Sequence, residues 1–259
     1  MAELFRTIIY IPLYNALVGL VALLPHHSVG FAVILLTILV KTALLPFSLK
    51  AARMQEIMKQ LQPELEAIKK KHKGDQEKLA RATLEAYRKH NLNPFSMIVP
   101  ILVQIPVIIG LFWVFSRGGI TQVDASLLYG FISAPASIST NFFGIDLASR
   151  SALMAVLAGA VQFAQFSFSM PKPQPRSENP SFAEEFQRTF QTQARYLFPI
   201  LIGFVAWTLP SAVALYFIVS SVYQLGQDWF IRRTMAREQA ARDSKQAAEA
   251  AAPASSRAS

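Results

Sequence analysis

The sequence predicts an all-α polytopic membrane protein, and three observations support this fold class. The 259 residues are 53% hydrophobic, and their mean hydropathy is +0.33. Several apolar runs approach the roughly 20 residues that a transmembrane helix needs. The formal charge of +9 lies mostly between these runs. The combination excludes a disordered chain and disfavours an ordinary soluble domain.

The first element comprises residues 1–26. It begins with Glu3 and Arg6 close to its start, and an apolar stretch follows them. No small-residue cleavage site follows it, so we do not interpret it as a cleaved signal peptide. The stretch is apolar nearly all round, and it contains Pro12, Asn15 and Gly19. Periodicity therefore does not decide between an extra span and a helix that lies in the membrane interface.

The rest of the chain divides into spans and basic segments. Five apolar runs qualify as spans: 29–47, 97–115, 152–170, 196–209 and 211–231. With the residues that flank these runs, the predicted spans are span one at 27–47, span two at 94–116, span three at 151–170, and spans four and five within 196–231. The connecting segments are 48–93, 117–150, 171–195 and the tail 232–259.

The charge of the connecting segments predicts the orientation. Eleven Lys and Arg residues lie in 48–93 and six in the tail, whereas 117–150 has only Arg117 and Arg150. By the positive-inside rule, segments 48–93 and 171–195 and the tail are cytoplasmic, with the C-terminus inside. Segment 117–150 and the residues before the first span are external.

Segment 48–93 is predicted to form a helical hairpin. An apolar stripe marks one face of its first helix (Met54, Met58, Leu61, Leu65 and Ile68). A turn at 72–75 leads to a second helix over about 76–90, with Leu79 and Leu84 as its apolar contacts. The net charge of +5 has two interpretations. It is either a solvated face that attracts anionic lipid, or a docking surface for a partner or substrate. The docking candidates are Lys59, Lys69, Lys70, Lys71 and Lys73.

The other two cytoplasmic segments are predicted to be less regular. Residues 171–180 are Pro-rich and cannot be helical throughout. Ser181 and Glu184 form a capping-box pattern, and Phe182, Phe186 and Phe190 then recur at helical spacing. This pattern predicts an amphipathic helix on the inner membrane surface before the fourth span. The tail after about residue 245 is predicted to be disordered.

Lys41 lies inside the first apolar run, where a cation costs from a few to more than ten kcal/mol depending on the reference scale. We expect no carboxylate to pair with it inside the membrane. A cation without an anionic partner is explained by a wet cavity, and the alternative is a Lys that snorkels to the surface. Snorkelling toward the cytoplasm runs against the tilt of side chains toward the helix N-terminus.

Other predicted spans also carry polar residues, in addition to the cation Lys41 of the first span. Gln104 lies between two prolines of the second span. Gln162, Gln165 and Ser169 share a face of the third, and another polar stripe runs along the last span (Tyr216, Ser220, Tyr223 and Gln227). Each is either an interhelical hydrogen-bond donor or part of a hydrophilic interior. Because four spans carry such groups, we predict a shared groove lined by Lys41, Gln104, Gln162, Gln165, Tyr216 and Ser220.

Several segments resemble the YidC family of membrane protein insertases. LQPELEAIKKKH, YRKHNLNPF and PILVQIPVIIGLFWV are similar to the family's cytoplasmic hairpin and second core span. VILLTILVKTALLPFSLKAARM resembles its first core span, and LPSAVALYFIVSSVYQ its closing pair of spans. The resemblance runs from about residue 5 to 233, and it is to the short form that lacks the large external domain.

The resemblance implies a five-span core with a cytoplasmic hairpin and an N-terminal interfacial helix, the last formed by residues 8–24. It also implies a hydrophilic groove that is open to the cytoplasm and the lipid but closed on the outside. The family typically carries Arg where this chain has Lys41, so the charge is retained and the bidentate fork is lost. The implied location is a bacterial plasma (inner) membrane.

The sequence therefore predicts a membrane protein insertase and chaperone rather than an enzyme, with no cofactor or metal. The expected partners are nascent membrane proteins and the lipid bilayer. The ribosome, the signal recognition machinery and a Sec-type translocon are further expected partners, and no direct nucleic-acid binding is expected. Two alternatives stay open: a small-anion transporter or channel with Lys41 as its anion site, and a structural membrane-assembly factor.

Overall fold

A computed structural model describes residues 2–72, 74–90, 99–116, 121–169 and 182–251. The described part is helical apart from loops, short turns and one two-stranded hairpin, which confirms the all-α class. The helices are α1 Ala2–Phe5, α2 Ile11–Leu23, α3 Val29–Ala43, α4 Leu45–Lys71, α5 Gln76–Lys89, α6 Val99–Ser116, α7 Ala152–Ser169, α8 Phe182–Thr208 and α9 Ser211–Ala251. A π-helical turn, Arg6–Tyr10, joins α1 to α2, and the strands are β1 Asn141–Phe142 and β2 Ile145–Asp146.

The N-terminal helix contacts one end of the helical bundle along its whole length. Its 21 residues, Glu3–Leu23, are mostly apolar and form a rod about 32 Å long. Near its start, the Phe5 ring lies 5.0 Å from that of Trp113, close to the end of α6. In its middle, Asn15 bonds to Leu127, and a Cβ on Gly19 would lie 3.7 Å from Ile132. These partners all lie at the same end of the bundle, so the helix runs across that end.

Residues 121–151 cover this end and are called the loop layer. Asn15 fixes the layer to α2, because its side-chain nitrogen donates to the Leu127 carbonyl (2.8 Å) and its oxygen accepts from the Tyr129 amide (2.7 Å). The Tyr14 hydroxyl accepts from the Asp124 amide at 2.7 Å. At the other edge, Ser211 donates to the Ser149 carbonyl through both its amide and its hydroxyl. The layer thereby joins α2 to the start of α9.

The first predicted span is not one straight helix. The apolar run extends to Phe47, but α3 ends at Ala43 and α4 begins at Leu45, and the two axes differ by 52°. Pro46 lies in the first turn of α4, where its missing amide costs no hydrogen bond. Proline also disfavours helical geometry in the residue before it. The apolar run therefore continues past the bend into the first turn of α4.

Two helices continue across predicted segment boundaries. The amphipathic helix and the fourth span, predicted as separate elements, form the single helix α8 with Pro199 inside it. Helix α9 continues past the predicted end of the last span to Ala251, so the tail is helical for several residues beyond Lys245. The predicted Pro-rich stretch 171–180 and the last residues, 252–259, lie outside the described residues.

Helices α7 and α8 pack closely because glycines meet at their crossing. A Cβ on Gly159 would lie 3.3 Å from the Pro199 carbonyl and 3.6 Å from Gly203. Small residues of this kind let membrane helices approach each other. The main apolar cluster lies between the loop layer and the helices. Its most buried members include Tyr14, Leu17, Val33, Val114, Leu147 and Ala158.

Length and composition identify fewer spans than the sequence predicts. Among the described residues, Glu3–Leu23 and Ala152–Ser169 are long and apolar enough to cross a membrane, and the bent pair Val29–Ala43 and Leu45–Ala51 adds a third if it forms one span. Ile105–Phe115 of α6 and Arg195–Thr208 of α8 are shorter apolar helical segments. The predicted count of five spans therefore stays a prediction.

Replacing Asn15 tests how the loop layer is held. Asn15→Ala removes three hydrogen bonds and leaves the Leu127 carbonyl and the Tyr129 amide without this partner. We expect the free energy of unfolding to fall by about 2 kcal/mol, because unsatisfied backbone groups are costly. Chemical unfolding in detergent micelles measures the loss. Thr234→Ala, which removes one exposed bond within a helix, is the control and should change stability by less than about 0.5 kcal/mol.

Candidate functional site

Lys41 lies in the last turn of α3, just before the bend at Leu44, and it is partly exposed. The neighbouring Thr42 hydroxyl forms a 3.0 Å hydrogen bond with the hydroxyl of Tyr223, so this end of α3 lies beside the middle of α9. Asp228, about one and a half turns further along α9, acts electrostatically on the Lys41 ammonium. The cation is therefore placed where α3 meets α9.

A continuous set of polar side chains joins α7 to α9, and we call it the polar seam. Its members are Gln162, Gln165 and Ser169 on α7, and Ser221, Gln224 and Asp228 on α9. Both groups follow the spacing i, i+3, i+7, which places three residues on one helix face. Ser221 bonds to Gln162, and seven residues later Asp228 bonds to Ser169. The two helices therefore run parallel with their polar faces in register.

The hydrogen bonds of the polar seam share one direction. The Ser221 hydroxyl donates to the Gln162 oxygen at 2.9 Å, and the Gln162 amide donates to the Gln165 oxygen at 3.0 Å. The Gln165 amide then donates to Ser169 at 3.1 Å, and the Ser169 hydroxyl donates to one Asp228 oxygen. Gln224 donates to the other Asp228 oxygen at 2.9 Å. Every donor in the chain leads to the carboxylate.

Asp228 corrects the expectation that no carboxylate would lie near Lys41 inside the membrane. It falls within the predicted last span, 211–231, three residues before its end. Its two oxygens accept from Ser169 and Gln224, and its charge acts on Lys41. The cation therefore has an acidic neighbour, and the argument for a wet cavity from a missing anion does not hold.

Arg232 closes the polar seam at the end of α7. Its guanidinium donates to the carbonyls of Phe168 (2.6 Å) and Ser169 (3.0 Å), and it lies 4.7 Å from the centre of the Phe168 ring. The last carbonyls of a helix have no partner within the helix. A cation there satisfies them and interacts favourably with the helix dipole. Arg232 therefore fixes the end of α7 against α9.

The structure separates the other predicted groove residues. Gln162 is partly buried and Gln165 is 8% exposed, and both belong to the polar seam. Tyr216 is 2% exposed and lies in the apolar cluster, and Ser220 is also buried. The side chain of Gln104 lies outside what the structure describes. Of the six predicted residues, Lys41, Gln162 and Gln165 are thus placed around one set of polar contacts.

Sequence reasoning missed three of the polar-seam residues on α9. The predicted polar stripe passed through Tyr216, Ser220, Tyr223 and Gln227, whereas the observed face carries Ser221, Gln224 and Asp228. The two faces differ by one residue, which is about 100° around a helix. The spacing of Gln162, Gln165 and Ser169 on α7 does not choose between these faces, because both repeat its i, i+3, i+7 pattern. The second face is the one whose side chains bond to α7.

The hairpin of α4 and α5 is held together at its open end. Glu64 of α4 accepts hydrogen bonds from His90 (2.9 Å) and Lys89 (3.5 Å). The His90 hydrogen bond is the main cause of the lowered pKa of the Glu64 carboxyl. At the turn, Asp75 caps α5 by accepting from the Lys78 amide, which also lowers the pKa of that carboxyl. Leu84, an expected apolar contact, is 53% exposed, and Ala86 is buried instead.

Three of the predicted docking lysines lie near the hairpin turn. Lys70 and Lys71 are exposed in the last turn of α4, and Lys69 is partly buried. The Lys59 side chain and all of Lys73 lie outside the described residues. The Arg53 guanidinium of α4 lies 3.6 Å from the Glu238 carboxylate in the long extension of α9, so these two helices approach each other there.

Comparison with known proteins identifies the family. Residues 21–239 match the family described as 60Kd inner membrane protein. The chain belongs to this family. Relatives named membrane protein insertase YidC occur in Fusobacterium nucleatum, at 34% identity over 79% of this chain and 86% of the relative, and in Clostridium tetani, at 28% over 85% and 88%. A third, from Azotobacter vinelandii, is 29% identical over 79% of this chain but 32% of its own length.

These matches confirm the resemblance to YidC-type insertases. They also support the predicted location in a bacterial inner membrane, in agreement with the apolar helices. Within the described residues of this family member, no group of three His, Asp or Glu side chains lies close enough to hold a metal ion.

Two adjacent arginines test the role of the α7 terminus. Arg232→Ala removes two charge-assisted bonds to the α7 carbonyls and should lower the free energy of unfolding by about 1–2 kcal/mol. Arg233→Ala is the matched control. It removes the same charge, and this Arg lies over the exposed ring of Trp229, 5.3 Å from its centre. Thermal unfolding of both variants in detergent compares them. Equal losses would contradict a specific role for Arg232.

Proposed function

We propose that this protein is a membrane protein insertase that guides nascent hydrophobic segments from the cytoplasm into the bilayer. The observation that carries the proposal is Lys41 beside the polar seam, within a bundle whose outer surface is apolar. Family membership supports the same function, because the relatives in Fusobacterium nucleatum and Clostridium tetani are named membrane protein insertases. The protein acts as a chaperone for its substrates rather than as an enzyme.

The proposed arrangement has five spans. They are α3, α6, α7, the later part of α8 and the first part of α9, with the hairpin of α4 and α5 and the α9 extension in the cytoplasm. The N-terminal helix lies in the outer interface. Its contacts with Trp113, Leu127 and Ile132 support this position, because they lie at the loop-layer end of the bundle.

A hydrophilic groove begins near Lys41 and is open to the cytoplasm and the lipid. Its proposed lining is Lys41, Gln104, Gln162, Gln165, Tyr216 and Ser220. The loop layer closes the outer end, since its buried Leu147 lies against the start of α9 through the bond from the Ala212 amide. The apolar part of α8, Arg195–Thr208, is short, so the bilayer beside it is thinned. The apolar barrier that a polar tail must cross is therefore shortened.

Insertion then needs no nucleotide. The polar or acidic part of a substrate enters the groove, where Lys41 attracts it. The apolar segment leaves between the helices into the lipid, and burial of apolar area at about 25 cal/mol per Å² drives this step. The membrane potential contributes roughly 2.3 kcal/mol per charge per 100 mV to moving an acidic tail outward.

The hairpin is the proposed docking surface for the nascent chain and its delivery partners. Its candidate residues are Lys59, Lys69, Lys70, Lys71 and Lys73. Lys70 and Lys71 support this role because they are exposed in the last turn of α4. The ribosome, the signal recognition machinery and a Sec-type translocon are the proposed partners there.

Two substitutions of Lys41 test the proposed groove. Lys41→Ala should reduce insertion of substrates with acidic tails severalfold, because the attracting charge is lost. Lys41→Arg keeps the charge and should insert them nearly as well as the wild type. Protease protection of a translating single-span substrate in proteoliposomes measures insertion. Equal insertion by both variants would contradict a role for the charge.

Crosslinking separates this function from its rivals. A photoreactive residue in a single-span substrate should crosslink to positions near Lys41 and Tyr216 while the substrate is still on the ribosome. A small-anion transporter would instead give solute flux into liposomes without crosslinks. A structural assembly factor would give neither crosslinks nor flux, so each class has a distinct outcome.

Single cysteines test the orientation, and the chain has no natural Cys to interfere. A cysteine at Glu3 should react with a membrane-impermeant maleimide added outside the cell membrane, because the N-terminal helix lies at the outer end. A cysteine at Glu77, an exposed position on α5, is the control and should react only after the membrane is opened. Labelling of Glu3Cys only from the inside would mean that residues 8–24 span the bilayer.

A further inference from the structure

The polar seam contains a charge that the proposed attraction of acidic tails does not explain. Asp228 lies at one end of the hydrogen-bond chain and acts electrostatically on Lys41. A substrate carboxylate that approaches the ammonium therefore meets a carboxylate of the protein as well. Charges interact more strongly where water is scarce, so this second charge affects which tails enter.

The Asp228 carboxylate is fixed in position. Ser169 donates to one of its oxygens and Gln224 to the other, from two different helices. Bonds to an ionised acceptor are stronger than bonds between neutral groups. The hydrogen bond between Thr42 and Tyr223 holds the end of α3 against α9, and Tyr223 precedes Asp228 on α9 by about one and a half turns. The carboxylate therefore cannot easily swing away when a substrate arrives.

Asp228 is also accessible. Its side chain is partly exposed, as is Lys41, whereas Gln165 and Ser221 deeper in the polar seam are buried. The nearby Arg232, one turn further along α9, bonds to the carbonyls of Phe168 and Ser169. Lys41 and Asp228 are thus partly exposed opposite charges at one end of the polar seam.

We propose that Asp228 sets the charge preference of the groove by balancing Lys41. An acidic tail has to compete with Asp228 for the ammonium, and a basic tail finds an attractive carboxylate. The groove therefore accepts acidic, neutral and basic tails to similar extents, instead of selecting acidic ones. Asp228 is a specificity-determining residue, and this role rests on the proposed insertase function.

The test uses the full chain in proteoliposomes without a membrane potential. Three substrates share one apolar segment and differ only in whether the translocated tail is acidic, neutral or basic. The readout is insertion of the acidic and basic substrates, each divided by insertion of the neutral one. Asp228→Asn should raise the acidic ratio about threefold or more and lower the basic ratio, because only the cation remains.

Glu3→Gln is the matched control. It removes one carboxylate from an exposed position on α1, so its two ratios should equal those of the wild type. Thermal unfolding confirms that Asp228→Asn is folded. If that variant does not fold, the wild-type ratios alone decide. Similar insertion of acidic and basic tails supports the balance, and a strong wild-type preference for acidic tails overturns it.

Unchanged ratios in a folded Asp228→Asn variant also overturn the inference. The neutral substrate separates this failure from a failure of the proposed function. If the wild type inserts the neutral substrate no better than protein-free liposomes do, the insertase function itself is wrong. If it inserts the neutral substrate well but the ratios do not respond to Asp228, only the role of Asp228 is wrong.

Discussion

Polar groups inside an apolar bundle need partners, and this requirement determines how α7 meets α9. A buried amide or hydroxyl without a hydrogen bond costs roughly 1–3 kcal/mol. Gln162, Gln165 and Ser169 avoid this cost only if α9 presents its own polar face at the same height. The parallel register of the two helices, with Ser221 at Gln162 and Asp228 at Ser169, satisfies all of them together. A shift of either helix by one residue would break several bonds at once.

The same requirement acts at the loop-layer end. The backbone of residues 121–151 runs close to the apolar cluster, so its amides and carbonyls need partners as well. Asn15, Tyr14 and Ser211 supply them from the helices. The two ends of the bundle thus differ in kind. One is closed by bonds to the backbone of a loop, and the other keeps two partly exposed charges.

The sequence predicted what depends on local pattern. Apolar runs and basic segments gave the all-α membrane class, and a turn signal with Asp75 gave the start of α5. Hydropathy did not give helix ends, because it reports what surrounds a residue rather than where the helical backbone stops. For this reason α8 begins well before its apolar part, and α9 extends past the apolar part of its sequence. The break at Leu44 lies inside a continuous apolar run.

The site was harder to predict, since its contacts join residues that are far apart in the chain. Asn15 bonds to residues more than 100 positions away, and no local pattern specifies such a partner. On α9 the choice of face depended on α7. Several polar residues offered two faces one residue apart with the same spacing, and only the contacts with Gln162 and Ser169 distinguish them.

Asp228 shows how much depends on that choice. At the edge of an apolar run it has the position of a charge that flanks a membrane, where it would have no particular partner. On the face opposite Ser169 it becomes the acceptor of the whole hydrogen-bond chain and the neighbour of Lys41. The cost of placing Lys41 in an apolar run is then offset in part by a fixed carboxylate. The cation is better understood as half of a pair than as an isolated attractant.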